Sequence, residues 1–394
     1  MSNLKKLDND YILPTYARNY TEFVYGKNAT LYDTEKKDYI DFTSGIGVVS
    51  VGHGNKELSN ALHKQASELI HTSNIYAIRP QAEAARAIVE QSGFDMKCFF
   101  ANSGAEANEG AIKIARKYGE IAEEIKRYKI ITLDKSFHGR TISALKATGQ
   151  EAMHNYFGPF PDGFSYAKSI DDIENMIDNH TIAVMIELVQ GEGGIEALDK
   201  EKVQALALML KEKDVLLIVD EVQTGIYRTG QMLASNHYDI EPDIITLAKG
   251  LGGGVPIGVV MTKHKDILHA GDHGSTFGGN FLSSRAALTV LDILKKEKKS
   301  GELELTAIYF ANALERIYLK HKHLFNDIVG FGLMKGLRIK DDNMLIKIID
   351  SAHKNRVLVL KAGRNTLRFL PPLTIKESEI DEGFRRLDSA LSSL

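Results

Sequence analysis

The sequence has one cysteine, Cys98, so no internal disulfide can form and the chain fits a reducing compartment. No apolar run reaches the roughly 18 residues that a transmembrane helix requires. The opening residues MSNLKKLDND lack both the apolar core and the small-residue cleavage site of a signal peptide. No sign of charge dominates: the formal net charge is −3, with 26% charged residues, which argues against a nucleic-acid or bilayer surface. A cytoplasmic location is the resulting expectation. Two nucleotide signatures are also missing. No G-K-[S/T] follows a glycine-rich turn, and no G-x-G-x-x-G follows a first strand, which disfavours a nicotinamide dehydrogenase. His264, His269 and His273 are close in sequence, but their spacing matches no recognised ligand pattern, so we expect solvated loop histidines and no metal.

The chain has 394 residues, 43% of them apolar, which is enough for two or three lobes around a large core. No repeat, low-complexity tract or long linker interrupts it, so the lobes are expected to pack tightly. Residues 1–55 carry only the short strand-like pieces ATLYD and KDYIDF. From Lys56, Leu58, Leu62, Ala66 and Leu69 fall on one helical face, and a second helix follows Pro80. Short apolar runs then recur: KCFFA (97–101), KIITL (129–133), IAVMIE (182–187), VLLIVD (215–220), DIITLA (243–248) and IGVVMT (257–262). Helical stretches lie between several of them, among them 105–120 and 200–213. The alternation predicts an α/β fold with a mostly parallel sheet covered on both faces. After about residue 285 the pattern shifts to two helices (283–298 and 303–321), strands, and a last helix with Ile380, Phe384, Leu387 and Leu391 on one face. This predicts a smaller α+β lobe.

Three local patterns carry chemistry. After KCFFA, Ser103-Gly104-Ala105-Glu106 has the S-x-x-E form of a capping box. It reads either as an ordinary helix start or as an anion site, where free N–H groups and the helix dipole hold a phosphate. Asp220 ends an apolar strand, and burying an unpaired carboxylate is costly. It serves either as a cap or loop salt bridge, or as partner to a cationic ring nitrogen. Lys249 stands between ITLA and Gly252-Gly253-Gly254. Alone it reads as an exposed loop lysine. In a desolvated cleft it becomes a nucleophile able to form a Schiff base with an aldehyde, and the glycines let the backbone turn beneath a bound group. Phosphate, ring nitrogen and aldehyde together are the needs of pyridoxal 5′-phosphate (PLP).

With these residues in place, the ordered set FHGRT, VQGEGG, DEVQTGIYRTG, LAKGLGGGVPIG and GSTFGGN resembles the class III, ornithine-type (subgroup II) aminotransferases over nearly the whole chain. GIGVVSVGHGN, FHGRTISALKATGQ and FGPFPDGFSYAKSIDDIENMI are most similar to its acetylornithine branch. The resemblance implies PLP-dependent fold type I, with 1–55 joining the small lobe, 56–285 forming the large PLP-binding domain and 286–394 the small C-terminal domain. It implies that Lys249 carries the cofactor and shuttles the proton, with Asp220 at the ring nitrogen and Gln223 near the ring hydroxyl. Phe137 and Val222 would cover the two ring faces, and Ser103, Gly104 and Ala105 would hold the phosphate. Thr276 would reach the phosphate of the other subunit, making the active unit a homodimer, and Ser275 would touch substrate. Arg140 would hold the substrate α-carboxylate and Arg368 that of 2-oxoglutarate or glutamate, with Glu192 as a gate on Arg368 and Glu187 supporting the ring environment. Guanidinium forks suit carboxylates, although each arginine alone reads as a surface ion pair. The implied reaction is transfer of the δ-amino group of N2-acetylornithine to 2-oxoglutarate, as in arginine synthesis. Ornithine, succinylornithine, succinyldiaminopimelate and 4-aminobutyrate remain open as donors, and a phosphate-binding module without catalysis remains the non-enzymatic reading. Selectivity is expected near 19–25 and 46–48. Leu188, Asn55 and Phe281-Leu282-Ser283 depart from the family pattern without removing a reactive group.

Overall fold

The computed structural model describes residues 3–121 and 125–394. The N-terminal region is more regular than its sequence suggests. Helix α1 (Asn3–Tyr11) precedes an antiparallel set of β1 (Phe23–Lys27), β2 (Thr30–Asp33) and β3 (Asp38–Asp41). Helices α2 (Lys56–Glu68) and α3 (Arg79–Ser92) follow. The buried face of α2 differs from the expected one: Leu58 and Gln65 are buried, whereas Ala66 and Leu69 are exposed. Gln65 gains burial because its amide closes the helix end on the Leu69 carbonyl (2.9 Å) and accepts from Arg285 Nε (3.3 Å).

The apolar runs assemble into one seven-stranded sheet. Its strands are β4 (Lys97–Ala101), β5 (Lys129–Leu133), β6 (Phe164–Ala167), β7 (Thr181–Ile186), β8 (Leu216–Asp220), β9 (Ile244–Leu247) and β10 (Gly258–Thr262). The order is β4-β10-β9-β8-β7-β5-β6. The pairings from β9 through β8, β7 and β5 to β6 are parallel, while β10 runs antiparallel to both β9 and β4. Strands β7, β8 and β9 are buried along their whole length, as central parallel strands covered on both faces must be. Strand β6 has no strong apolar run because it is an edge strand, half-buried along most of its length. Helices α4 (Gly104–Ile121) and α5 (Lys200–Glu212) supply cover for the sheet, and Ala107, Ala111, Ile112, Ile114 and Ala115 form the inward stripe of α4.

The C-terminal part contains α6 (Phe281–Ser300), α7 (Glu302–Lys320), the hairpin β11 (Phe325–Phe331) and β12 (Met334–Ile339), and α8 (Met344–Lys354). Residues 357–362 form a divided strand. Its first part, β13 (Val357–Leu358), pairs in parallel with β3, and its second, β14 (Leu360–Ala362), pairs with β15 (Thr366–Phe369). Residues 38–41 are thus tied to the C-terminal part by main-chain bonds. Helix α9 (Glu377–Ser392) buries Ile380, Phe384, Leu387 and Leu391 as its periodicity predicts. Phe42, Phe310, Phe369 and Phe384 form an aromatic cluster with ring centroids 5.0–6.2 Å apart, joining the N-terminal segment, α7, β15 and α9.

Candidate active site

The carboxyl ends of the parallel strands face one cavity of about 400 Å3, the position at which open α/β sheets bind ligands. Ser103, Gly104, Ala105, Phe137, Arg140, Asp220, Val222, Gln223 and Lys249 line it. Residues contributed by β4, β5, β8 and β9 and their following loops are therefore brought together from separations of more than a hundred positions.

Helix α4 opens this cavity at Gly104. The Glu106 amide donates to Ser103 Oγ at 3.2 Å, one arm of the expected capping box. The reciprocal arm is shifted: Glu106 accepts from the backbone and side-chain amides of Asn102, at 2.8 and 2.9 Å. A Cβ on Gly104 would lie 2.7 Å from Val222 Cγ1, so a side chain there would collide with Val222.

Asp220 is 4% exposed and held by three donors. Its Oδ1 accepts from the Val222 amide at 3.0 Å, and its Oδ2 accepts from Asn108 Nδ2 at 2.8 Å. His138 Nδ1 lies 2.8 Å from the same Oδ2. An ionised carboxylate only accepts, so this ring nitrogen carries the proton. Asn108 and His138 were not singled out in the sequence as site residues. His138 lay inside the FHGRT motif, but nothing local marked it as the support of a residue 82 positions away. Asn108 gave no local signal, because an asparagine inside an amphipathic helix reads as polar surface. Here it is 1% exposed.

Lys249 follows β9 in a left-handed backbone conformation (φ +42°). A lysine held there carries strain of about 1–3 kcal/mol. Its amine has no hydrogen-bond partner among the described residues. By surface exposure Lys249 is half-buried, because it borders the cavity. The protein around it still removes enough water to push its ammonium below the usual lysine range, which outweighs the pull of Glu192, Asp220 and Glu187 in the other direction. Of the glycines that follow, Gly254 (φ +117°) lines the cavity with nothing within 4 Å of an added Cβ, in keeping with a turn beside the site, and Gly253 has a second use. A Cβ on Gly253 (φ +57°) would approach Val290 Cγ2 to 2.8 Å and Leu58 Cδ2 to 2.9 Å, so this glycine seats the Lys249 turn against α6 and α2.

Two carboxylates flank the lysine. Glu187, directly after β7, is 5% exposed and accepts one bond, from the Phe137 amide at 2.9 Å. Burial pushes its carboxyl up to about 7. Glu192 is paired with Arg368 NH1 at 2.6 Å, and the same nitrogen lies 3.3 Å from Gln223 Oε1. Burial alone would raise the Glu192 carboxyl, but Arg368 overcomes it and holds it below its ordinary range. Arg368 is 2% exposed, and its Nε has no partner among the described residues. Glu192 and Arg368 adjoin the cavity through Gln223. Arg140 is exposed, 5.6 Å from the Phe137 ring centroid, with no carboxylate partner among the described residues.

Ser275 and Thr276 stand apart. Ser275 Oγ accepts from Asn102 Nδ2 at 3.1 Å, which places it beside the cavity. Thr276 is exposed and does not line it. Of the positions expected to set selectivity, Val48 reaches the cavity, whereas none of residues 19–25 does. Val48 is delivered by a left-handed turn, Ser44–Gly47 (φ between +40° and +74°), which Asp41 anchors by accepting from Thr43 and Ser44. Of the three histidines, His269 is exposed as expected, whereas the other two are less solvated. His264 is half-buried, 3.6 Å from Asp243, and His273 packs on Phe99 with centroids 4.6 Å apart. No group of three or more metal-ligating side chains occurs among the described residues. No helix there is long and apolar enough to cross a membrane.

A family model described as Aminotransferase class-III matches residues 15–391. The acetylornithine aminotransferase of Wolinella succinogenes is 60% identical over 389 residues, covering 98% of this chain and 99% of that protein. Among solved structures, the ornithine aminotransferase of Toxoplasma gondii, with partial occupancy of PLP at its active site, superposes with a TM-score of 0.92 at 32% identity, covering 99% of this chain and 94% of that one. The N-acetylornithine aminotransferase of Stenotrophomonas maltophilia gives 0.82 at 31% identity, covering 98% of each chain. Sequence and fold agree along the whole length: the chain belongs to the class-III aminotransferases.

Proposed function

We propose that this aminotransferase uses PLP to move the δ-amino group of N2-acetyl-L-ornithine to 2-oxoglutarate, giving N-acetyl-L-glutamate 5-semialdehyde and L-glutamate. The observation that carries the reading is the pair Glu192–Arg368 beside an unpartnered, desolvated Lys249. The residues fit the cofactor. Asp220 is oriented by three hydrogen-bond contacts and suits a pyridinium nitrogen, the start of α4 at Gly104 suits a phosphate, and the Lys249 amine suits an aldehyde. When bound, PLP supplies the aldehyde that captures the amine and a ring that delocalises an electron pair.

The remaining work belongs to the chain. Lys249 Nζ, whose ammonium form is disfavoured by desolvation, is placed to take the proton from the amine-bearing carbon of the substrate and to give it back on the far side of the transferred nitrogen. Phe137 and Val222 wall the site and limit water. Arg140, exposed and unpaired, binds the α-carboxylate of the incoming amine donor. Arg368 remains neutralised by Glu192 while that donor is bound. When the dicarboxylate arrives, Glu192 swings aside and the guanidinium binds its α-carboxylate, so one pocket serves two unlike substrates.

We also propose a homodimer with shared sites. Thr276 is exposed beyond its own cavity, and Asn74 fixes its loop through the Ser275 and Gly278 carbonyls, at 3.0 and 2.9 Å. Around this loop Ile75, Tyr76 and Phe277 are 81%, 66% and 58% exposed, an apolar surface suited to a second copy.

A panel of amine donors tests the substrate. We expect kcat/KM for N2-acetylornithine to exceed that for free ornithine by at least about tenfold, since one buried contact is worth about 1–3 kcal/mol. Preference for free ornithine, the substrate named for the Toxoplasma relative, would replace this reading with that one.

A further inference from the structure

The pocket contains two buried carboxylates with unequal support. Asp220, 4% exposed, accepts from the Val222 amide, Asn108 and His138. Glu187, 5% exposed, accepts among the described residues only from the Phe137 amide. A carboxylate bound by several donors keeps its charge out of water, while one with a single donor in a dry wall gains more from binding a proton. Where two such groups share a pocket, the proton settles on the poorly supported one.

From this asymmetry we propose that Glu187 is a positioning residue: it holds the exchangeable proton of the pocket and thereby keeps a second carboxylate charge away from Lys249. The inference rests on Lys249 being the reactive amine, as read above. The groups facing Glu187 are His138 from the loop after β5, Asp220 at the end of β8 and Lys249 after β9. Beyond the lysine stand Glu192 and Arg368, which neutralise one another.

Each charge has a definite sign of effect. Ionised Glu187 favours the ammonium form of Lys249, which cannot attack a carbonyl. Neutral Glu187 exerts no such pull. The Glu187 carboxyl changes state near pH 7. Below that pH the lysine faces Glu192, offset by Arg368, and Asp220; above it the Glu187 charge is added to these. The protein thus restrains its own nucleophile as pH rises through neutrality, opposing the ordinary gain in free amine.

The test is the pH profile of Lys249 nucleophilicity in the full-length chain freed of cofactor. Trace acetylation with acetic anhydride, measured by mass spectrometry on the Lys249 peptide against an internal amine standard, reads it without any turnover. Wild type and Glu187→Gln should react at equal rates well below pH 7. Above pH 7 Glu187→Gln should react about tenfold faster, the effect of removing one unit charge within about 10 Å at an effective dielectric near 20. The wild-type profile should show two ionisations and the variant one. Superimposed profiles, or a slower Glu187→Gln protein above pH 7, overturn the proposal. Glu187→Leu, which removes the charge with an apolar side chain of similar size, gives the same reading if the glutamine variant does not melt cooperatively. A wild-type protein that binds no cofactor at Lys249 would instead remove the proposed function while leaving these profiles as they are.

Discussion

At the residue scale, the ion pair between Glu192 and Arg368 decides how the pocket treats charge. Arg368 is almost fully buried, so removing its partner leaves a charge that water cannot reach. Glu192→Gln keeps the shape and removes the neutralising charge. We expect kcat/KM for the amine donor to fall roughly 10- to 100-fold, because hydrogen bonds to charged groups are worth about 1.5–3 kcal/mol. The KM for 2-oxoglutarate should stay the same or fall, since Arg368 is then always available; steady-state kinetics of the two half-reactions separates the effects. The pair also has a pH signature. The folded-state carboxyl of Glu192 lies below its ordinary value, so its stabilisation is complete above the ordinary carboxylate range and is lost as pH falls through the folded value. Thermal melts of wild type and Glu192→Gln should therefore differ at neutral pH and converge in acid.

At the element scale, helix ends and glycine contacts set where the reactive groups stand. Asn55, a departure from the family pattern, is the N-cap of α2: its Oδ1 accepts from the Leu58 amide at 3.1 Å. Asn280 caps α6 in the same way, accepting from the Ser283 amide at 2.9 Å. Both helices pack against the turn that bears Lys249, meeting it at Gly253. Asn55→Ala should cost about 1 kcal/mol, seen as a small fall in the unfolding midpoint by calorimetry with the cofactor absorbance per subunit unchanged. The strands were legible because β7, β8 and β9 are continuous apolar runs, and α9 because its apolar positions keep helical spacing. Edge strand β6 and the left-handed turn at Ser44–Gly47 were not. The first lacks a buried face, and the second is imposed by Asp41 rather than by its own residues.

At the scale of the whole molecule, the exposed Thr276 loop predicts complementation between subunits. Lys249→Ala should lose more than about a thousandfold in activity, within the range of general acid–base catalysis combined with loss of the nucleophile. Thr276→Ala, affecting the neighbouring site, should mainly weaken cofactor binding. Unfolding and refolding the two variants together should restore activity in mixed dimers, since one of their two sites then carries both native residues. Recovery no greater than the sum of the separate variants, with mixed dimers present by native mass spectrometry, would show that each subunit works alone.

The sequence by itself determined the alternation of strands and helices and the order of the motifs, and it marked three candidate anchors: the α4 start, Asp220 and Lys249. These are local properties, set by apolar periodicity and by which residue types end a strand. The roles proposed for Arg368 and Glu192 came only through resemblance to a family. The tertiary structure alone decided that Asn108 and His138 support Asp220, that Glu187 has one donor where Asp220 has three, and that Gly253 seats the lysine turn between two helices. Each depends on distance between residues far apart in the chain and on the exclusion of water. Hydrogen-bond support and desolvation set the charge state of a carboxylate, and neither exists until the chain has closed around it.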